Sequence, residues 1–443
     1  MSNPTVAGPH PPPITSRRIA RLAVPALIVL AAEPLYVLVD TAVVGHLGRV
    51  PLAALAIAGT VMTLVVWLGT VAAYGTTGRS ARRFGAGDRA AAVEEGVQAS
   101  WLALASGVLI LLVVQIAAGP LARTLAGDDP AVAGAAADWL RIAALGAPGL
   151  LLAAAGNGWL RGVQDTRRPL FFVLGPNLLS AALCPLLVYP AGLGLVGSAV
   201  ANATAQTLGG ILFVGALVAE RVSLRPRPPM IVGQLVLSRD LLVRGAAFQA
   251  SFLSATAVAA RFGAASVAAH QIALQLWFFT ALVLDALAIA AQSLIGAALG
   301  SGDVAGARAL ARRLALIGGA CGIVFALLVA AGAPVVPSWF SADQQVRDQA
   351  LVAWPWFVGM QPIAGVVFAL DGVLIGAGDL RYMRDLTIVA AVGAFLPAIW
   401  AAYALDLGLG GIWAGLALFL VVRLAGLLLR LRTDAWSIAG PTR

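Results

Sequence analysis

The chain has 443 residues, 60% of them hydrophobic and 11% charged, with a formal net charge of +9 and a mean hydropathy of +0.92. Soluble domains carry about a quarter charged residues, so this chain cannot cover itself with a hydrated surface, and a water-soluble globular fold is excluded. All 29 basic residues are arginine, which also excludes a lysine-dependent phosphate loop and lysine Schiff-base chemistry.

In chain order, residues 1–16 form a Pro-rich tail without a cleavable signal pattern, expected to be disordered. Apolar runs then recur near 18–45, 51–78, 97–119, 131–157, 170–190 and 194–219. A second set lies near 240–263, 267–299, 314–337, 346–371, 385–404 and 408–431. Most reach the roughly twenty residues that cross a bilayer's hydrocarbon core. The pattern predicts an all-α polytopic membrane protein with twelve transmembrane helices. Arginines gather in alternate loops, at 17, 18 and 21, at 79–89, at 161–168, at 221–239, at 308–313 and at 381–384. This is the positive-inside pattern, which puts both termini in the cytoplasm and the protein in the inner membrane. It also argues against nucleic acid, because the charge forms no single patch. Cys184 and Cys321 lie inside apolar runs and read as small buried hydrophobes, not a disulfide.

The stretch 221–239 is the one long polar, Pro-rich connector. It divides the chain into an N-lobe (17–220) and a C-lobe (240–432), with a C-terminal tail at 433–443. A shift of 215 places superposes Gly48 on Gly263, Ile57 on Ile272 and the Gly-Ala-Gly-Asp at 85–88 on the Gly-Ser-Gly-Asp at 300–303. A shift of 214 superposes Pro148 on Pro362, Gly158 on Gly372, Asp165 on Asp379 and Gly197 on Gly411. The halves are therefore a duplication. An even number of spans in each makes them parallel repeats, a pattern that suits alternating access between two bundles. The Gly-x-Gly-Asp loops follow helices with no strand before them, so a turn and a helix cap explain them better than a nucleotide site.

Ionisable groups inside membrane helices are costly and hence functional candidates. Glu33, Tyr36 and Asp40 share one narrow face of the first span, at about 100° per residue. Pro25 and Pro34 favour bending of the same helix. A carboxyl removed from water favours its neutral form, which allows proton uptake near neutral pH. The alternative for Asp40 is an interfacial carboxylate hydrogen-bonded to a neighbour. In the eighth span Gln271, Gln275, Phe278 and Asp285 fall on one face expected to line a cavity, the alternative being a structural hydrogen bond to another helix. Asp371 matches Asn157 through the repeat and reads as a helix cap. His46 and His270 lack second ligands at metal-binding spacing, so no metal site is expected.

The segment AEPLYVLVDTAVVGHLG (32–48) closely resembles the first-helix signature of multidrug and toxic compound extrusion (MATE) transporters, in the DNA-damage-inducible protein F branch. LAALAIA (52–58), GWLRGVQDTRRP (158–169), AAHQIALQLWFF (268–279), LDALAIAAQ (284–292) and DGVLIGAGDLRY (371–382) look like that branch as well. The resemblance implies two six-helix lobes around a central V-shaped cavity. It also implies export of small lipophilic organic cations by a monomer, driven by a proton gradient, with sodium as the alternative and no other cofactor. The family's first-helix acid falls on Asp40. One departure stands out. Relatives often carry an Asn-x-x-x-Asp pair in the fifth helix, where this chain has Ser180 and Cys184; Asn177, one turn earlier, is a partial substitute. The rivals are a lipid-linked precursor flippase, an intramembrane enzyme and a channel. The first needs a strongly cationic cavity, the second a nucleophile–base or metal constellation that the sequence lacks, and the third a fixed pore.

Overall fold

Within lipid a peptide group finds no water to bond, so each apolar run must satisfy its own N–H and C=O groups by coiling. The computed structural model describes residues 15–127 and 129–442, and it contains no strand among them. Among the described residues, twelve helices are long and apolar enough to cross a membrane. The first six are α1 (Ser16–Gly45), α2 (Arg49–Gly85), α3 (Arg89–Ala126), α4 (Pro130–Gly162), α5 (Arg167–Val188) and α6 (Gly194–Ala219). The second six are α7 (Pro228–Arg261), α8 (Ala264–Gly300), α9 (Val304–Gly332), α10 (Gln344–Gly376), α11 (Leu380–Ala404) and α12 (Gly408–Leu431). Helix α1 runs unbroken through Pro25 and Pro34.

Helices α2 and α3, with 37 and 38 residues, measure about 55 Å at 1.5 Å per residue. The surplus turns carry Arg79, Arg82, Arg83, Glu94 and Glu95 and stand at the end where both chain termini emerge, the terminal end. The two Gly-x-Gly-Asp loops are built alike. Gly87 and Gly302 take φ values of +85° and +82°, a left-handed turn that glycine adopts without strain. Asp88 and Asp303 then cap α3 and α9 by accepting 2.8 Å hydrogen bonds from the N–H groups of Ala91 and Gly306.

The lobes meet along α1, α2 and α8. At the terminal end the approach is backbone to backbone. A Cβ on Gly85 would stand 2.0 Å from the Ala297 carbonyl oxygen, and one on Gly300 would stand 1.9 Å from the Arg82 carbonyl oxygen. Gly85 matches Gly300 in the repeat, and Arg82 matches Ala297. The two contacts are therefore mirror uses of one surface about an axis along the helices. Further along the seam Ala26 of α1 packs with Ala286 and Ile289 of α8. One face of α8 passes from buried Gln292 and Ile289 to exposed Gln271, Gln275 and Phe278. The lobes thus join at the terminal end and part toward the other, which makes the central cavity V-shaped.

Two boundaries differ from the sequence reading. The expected connector is half helix: α7 begins at Pro228, not near 240. Its first turns are held by charge. Arg227 bonds Glu94 at 2.7 Å, and Gln234 donates to Glu95, which already lies 2.8 Å from both Arg79 and Arg83. The segment after α12 is docked. Trp436 is buried, Gly440 N–H donates to Leu299 O at 3.0 Å, and Arg82 donates to the carbonyls of Ile438, Gly440 and Ala377. The expected N-terminal tail, apart from its last two residues, lies outside the described residues.

Replacing Gly300 with valine puts side-chain atoms where the Arg82 carbonyl stands, at a cost of about 1–3 kcal/mol to the closed seam. Spin labels on the loops at 86–88 and 301–303 are expected to move apart in Gly300→Val. An unchanged distance distribution would show that the seam does not depend on this contact.

Candidate functional site

The N-lobe gathers polar side chains from four helices around the acid of α1. Asp40 is 5% exposed. Its Oδ1 accepts hydrogen bonds from Ser198 Oγ of α6 at 2.6 Å and from the Cys184 thiol of α5 at 3.2 Å. Trp139 of α4 donates to the same Ser198 oxygen at 3.1 Å, which leaves the serine hydroxyl proton free to point at Asp40. One turn nearer the terminal end, the Tyr36 hydroxyl faces Ser180 and Asn202. Tyr36 Oη, Ser180 Oγ and Asn202 Oδ1 are buried and make no well-formed hydrogen bond among the described residues. Buried polar atoms are normally paired, so this group is suited to water, a proton or a cation. Asp40, Tyr36, Glu33 and Asn202 line a cavity of about 280 Å³ whose wall contains no arginine. Glu33 is shared with a second, inner cavity that also touches Asn177, Gln206, Tyr74 and Arg161.

Tyr74 connects the lobes: its hydroxyl donates a hydrogen bond to Asp285 on α8. Arg161, at the end of α4, is 5% exposed and faces both Tyr74 and Asp285. Beyond them the C-lobe holds a second charged cluster. Asp371 of α10 binds Arg244 of α7 at 2.6 Å and Arg423 of α12 with both carboxylate oxygens at 2.7 Å. The ring of Phe248 lies under both guanidinium groups, at 5.3 Å and 4.9 Å from its centroid.

The MatE family model matches twice, over residues 25–186 and 241–402. The chain belongs to the MATE family. This MATE protein is 33% identical over 441 residues to Protein DETOXIFICATION 44, chloroplastic, of Arabidopsis thaliana, covering 95% of this chain and 83% of that one. It is 30% identical to DNA damage-inducible protein F of Escherichia coli, covering 92% and 90%. Among solved structures, a MATE crystal structure in the bent conformation superposes with a TM-score of 0.88 at 23% identity, covering 95% and 96%. The two model matches are each 216 residues apart, which agrees with the duplication read from the sequence. Members of the family are multidrug efflux transporters, not enzymes, and this one is a multi-pass membrane protein.

The fold of this MATE transporter brings some predicted residues together and separates others. Asp40, Tyr36 and Ser180 share the N-lobe cluster, with Glu33 on the cavity wall. Asn177 is elsewhere: its amide donates to Val173 O at 2.8 Å, and its side chain lines the inner cavity. Phe278 and Asp285 line one C-lobe pocket. Gln275 and Gln271 are not part of that pocket: they lie about one and two turns beyond Phe278 along α8. Asp371 is not a cap: it is a buried partner of two arginines. The fold also places Arg161, Arg244 and Arg423 beside the buried acids Asp285 and Asp371. Arg161 was read as a loop residue because α4 was expected to end near 157. Arg244 and Tyr74 gave one usable signal, a lone polar residue in an apolar run.

Tyr74→Phe removes the hydrogen bond to Asp285, worth about 0.5–1.5 kcal/mol, from the seam. In a Cys321→Ser background, a cysteine replacing the fully buried Gln292 is expected to react faster with a membrane-impermeant maleimide once Tyr74 is phenylalanine. Equal rates would mean that the bridge does not help close the lobes.

Proposed function

We propose that this MATE transporter exports lipophilic organic cations in exchange for protons, with Asp40 as the protonation site. The observation that carries the reading is the environment of that acid: a single buried carboxylate, held by two neutral donors, in a cavity whose wall has two acids and no arginine. A membrane-embedded charge of this kind is unstable unless it is neutralised. Two agents can do so in turn, a proton or a cationic substrate. When one leaves, the other is favoured, and that exclusion is the basis of antiport.

A proton is favoured over sodium by the donor set. A hard cation prefers several oxygen ligands, and Cys184 occupies the place where a second carboxylate would hold one. Asp40 can take a proton without any change in its partners. Tyr36, Ser180 and Asn202 sit where they would carry the proton or hold a water beside it. The lobes are closed at the terminal end, which the arginine-rich loops assign to the cytoplasm. The structure then corresponds to an outward-open state of an inner-membrane exporter, with both termini cytoplasmic. The flippase reading fits less well, since a pyrophosphate needs a strongly positive cavity and the C-lobe pocket sets two arginines against two aspartates.

The decisive experiment uses proteoliposomes, a fluorescent organic cation and an imposed pH gradient. Wild type is expected to transport with the pH gradient and gain nothing from a sodium gradient alone, while Asp40→Asn loses the pH-driven component. Full pH-driven transport by Asp40→Asn would sink the proposal, and transport driven by sodium alone would replace the proton.

A further inference from the structure

Over the Gly85–Ala297 contact, on the side of α1, the seam holds a cavity of about 480 Å³ that plays no part in the Asp40 reading. Arg18 of α1 stands on its N-lobe wall and Arg313 of α9 on its C-lobe wall. Each holds a neutral oxygen: Arg18 donates to Gln164 Oε1 at 2.8 Å and Arg313 to Ser16 Oγ at 2.7 Å. Among the described residues the lining has one acid, Asp303, which is engaged in capping α9. Two arginines against one aspartate leave the lining with one positive charge in excess. The repeat shows how such a groove is closed elsewhere. A shift of 215 places its C-lobe wall on the groove beside α3, where Arg313 falls on Gln98, Ala309 on Glu94 and Leu310 on Glu95. That copy is filled by the chain itself. Gln98 bonds the backbone of Arg225 and Arg227, Glu94 pairs with the Arg227 guanidinium, and Arg82 clasps the carbonyls of Ile438 and Gly440. The copy beside α9 has neither glutamate and has an arginine in place of the glutamine, so it suits an acidic occupant. Residues 1–14 contain no acidic side chain to supply that charge.

We infer that this groove binds the headgroup of an acidic phospholipid from the leaflet at the terminal end, with the phosphate diester between Arg18 and Arg313. Arginine's planar fork matches phosphate oxygens, and basic pockets between membrane helices at headgroup level suit lipids of this charge. The depth fits. The apolar stretch of α9 begins at Leu314, directly after Arg313, and Arg18 lies in the first turn of α1. Both guanidinium groups therefore stand where headgroups meet the hydrocarbon. Farther into the same helices Val24 and Leu316 are 55% and 75% exposed, an apolar flank on which acyl chains can lie. A soluble phosphate would gain nothing from that flank. A monoanionic headgroup cancels the excess charge. Its phosphate also ties an N-lobe arginine to a C-lobe arginine across the seam, as Arg82 ties the lobes in the other copy of the groove.

The test is native mass spectrometry of the purified full-length protein, released from mixed micelles holding equal amounts of dioleoyl phosphatidylglycerol and dioleoyl phosphatidylcholine. The wild type is expected to retain its first phosphatidylglycerol about tenfold over phosphatidylcholine, as two arginines at headgroup level imply. Arg18→Gln/Arg313→Gln should bring the two lipids near equality, and Arg18→Lys/Arg313→Lys should keep part of the preference. Arg381→Gln/Arg432→Gln removes the same charge from exposed positions outside the groove and should leave the preference unchanged. Equal retention of the two lipids by the wild type overturns the inference without recourse to any variant. So does a preference that survives Arg18→Gln/Arg313→Gln. Loss of the preference in Arg381→Gln/Arg432→Gln as well would also overturn it, by assigning the effect to diffuse surface charge. Displacement of the bound lipid by an equal concentration of soluble glycerophosphoglycerol would overturn the lipid and leave a free phosphate diester as the ligand. The Asp40→Asn transport test reads a different site, so either proposal can fail while the other stands.

Discussion

The contact on which the rest depends is the one between α2 and α8 at the terminal end. Two helices approach closely there because glycine at 85 and 300 leaves room for a facing carbonyl. Side chains at those positions would hold the lobes apart. Once the backbones touch, α1 is pressed against α8, Tyr74 comes within hydrogen-bonding distance of Asp285, and the opposite mouth is left open. In lipid there is little hydrophobic gain from helix association, so close packing of small residues is a main source of adhesion. Adhesion of this sort is breakable, and a transporter that alternates needs a seam it can open.

The docked C-terminal segment strengthens the same seam. Arg82 donates to the carbonyls of Ile438 and Gly440 beyond α12 and to Ala377 beyond α10. One side chain of the N-lobe thereby holds two backbone segments of the C-lobe. These bonds lie where the helices have left the apolar core, so charge can be used freely. Inside the core the pairing is sparser and each ion has its own answer to the loss of water. Asp40 has neutral donors, whereas Asp371 has two arginines.

The two lobes are copies in scaffold and not in chemistry. Duplication kept the glycine contacts and the capped turns, which are symmetric demands of packing. The charged groups of the two buried clusters have no charged counterparts. Through the repeat, Asp40 falls on Ala255, Asp285 on Thr70, Asp371 on Asn157, Arg423 on Gly209 and Arg161 on Ile375. A buried charge is stabilised only by its own neighbours, so each lobe could diverge without disturbing the other. One lobe is arranged around an acid with neutral partners, and the other around arginines paired with aspartates.

The sequence by itself determined the twelve spans, the duplication and the first-helix acid. Each follows from a local rule: a run of apolar residues must coil in lipid, a repeat leaves a fixed offset, and a carboxyl within such a run is conspicuous. The packing decided the rest. Arg244, Asp371 and Arg423 come from three helices, and no spacing along the chain announces that they meet. The first turns of α7 read as connector because they are polar, yet Glu94 and Glu95 of another helix hold them in place. The C-terminal segment is bound through its backbone carbonyls, which every residue possesses and no side-chain pattern encodes. Local chemistry is written in the order of residues; partnership between distant helices exists only once they are packed.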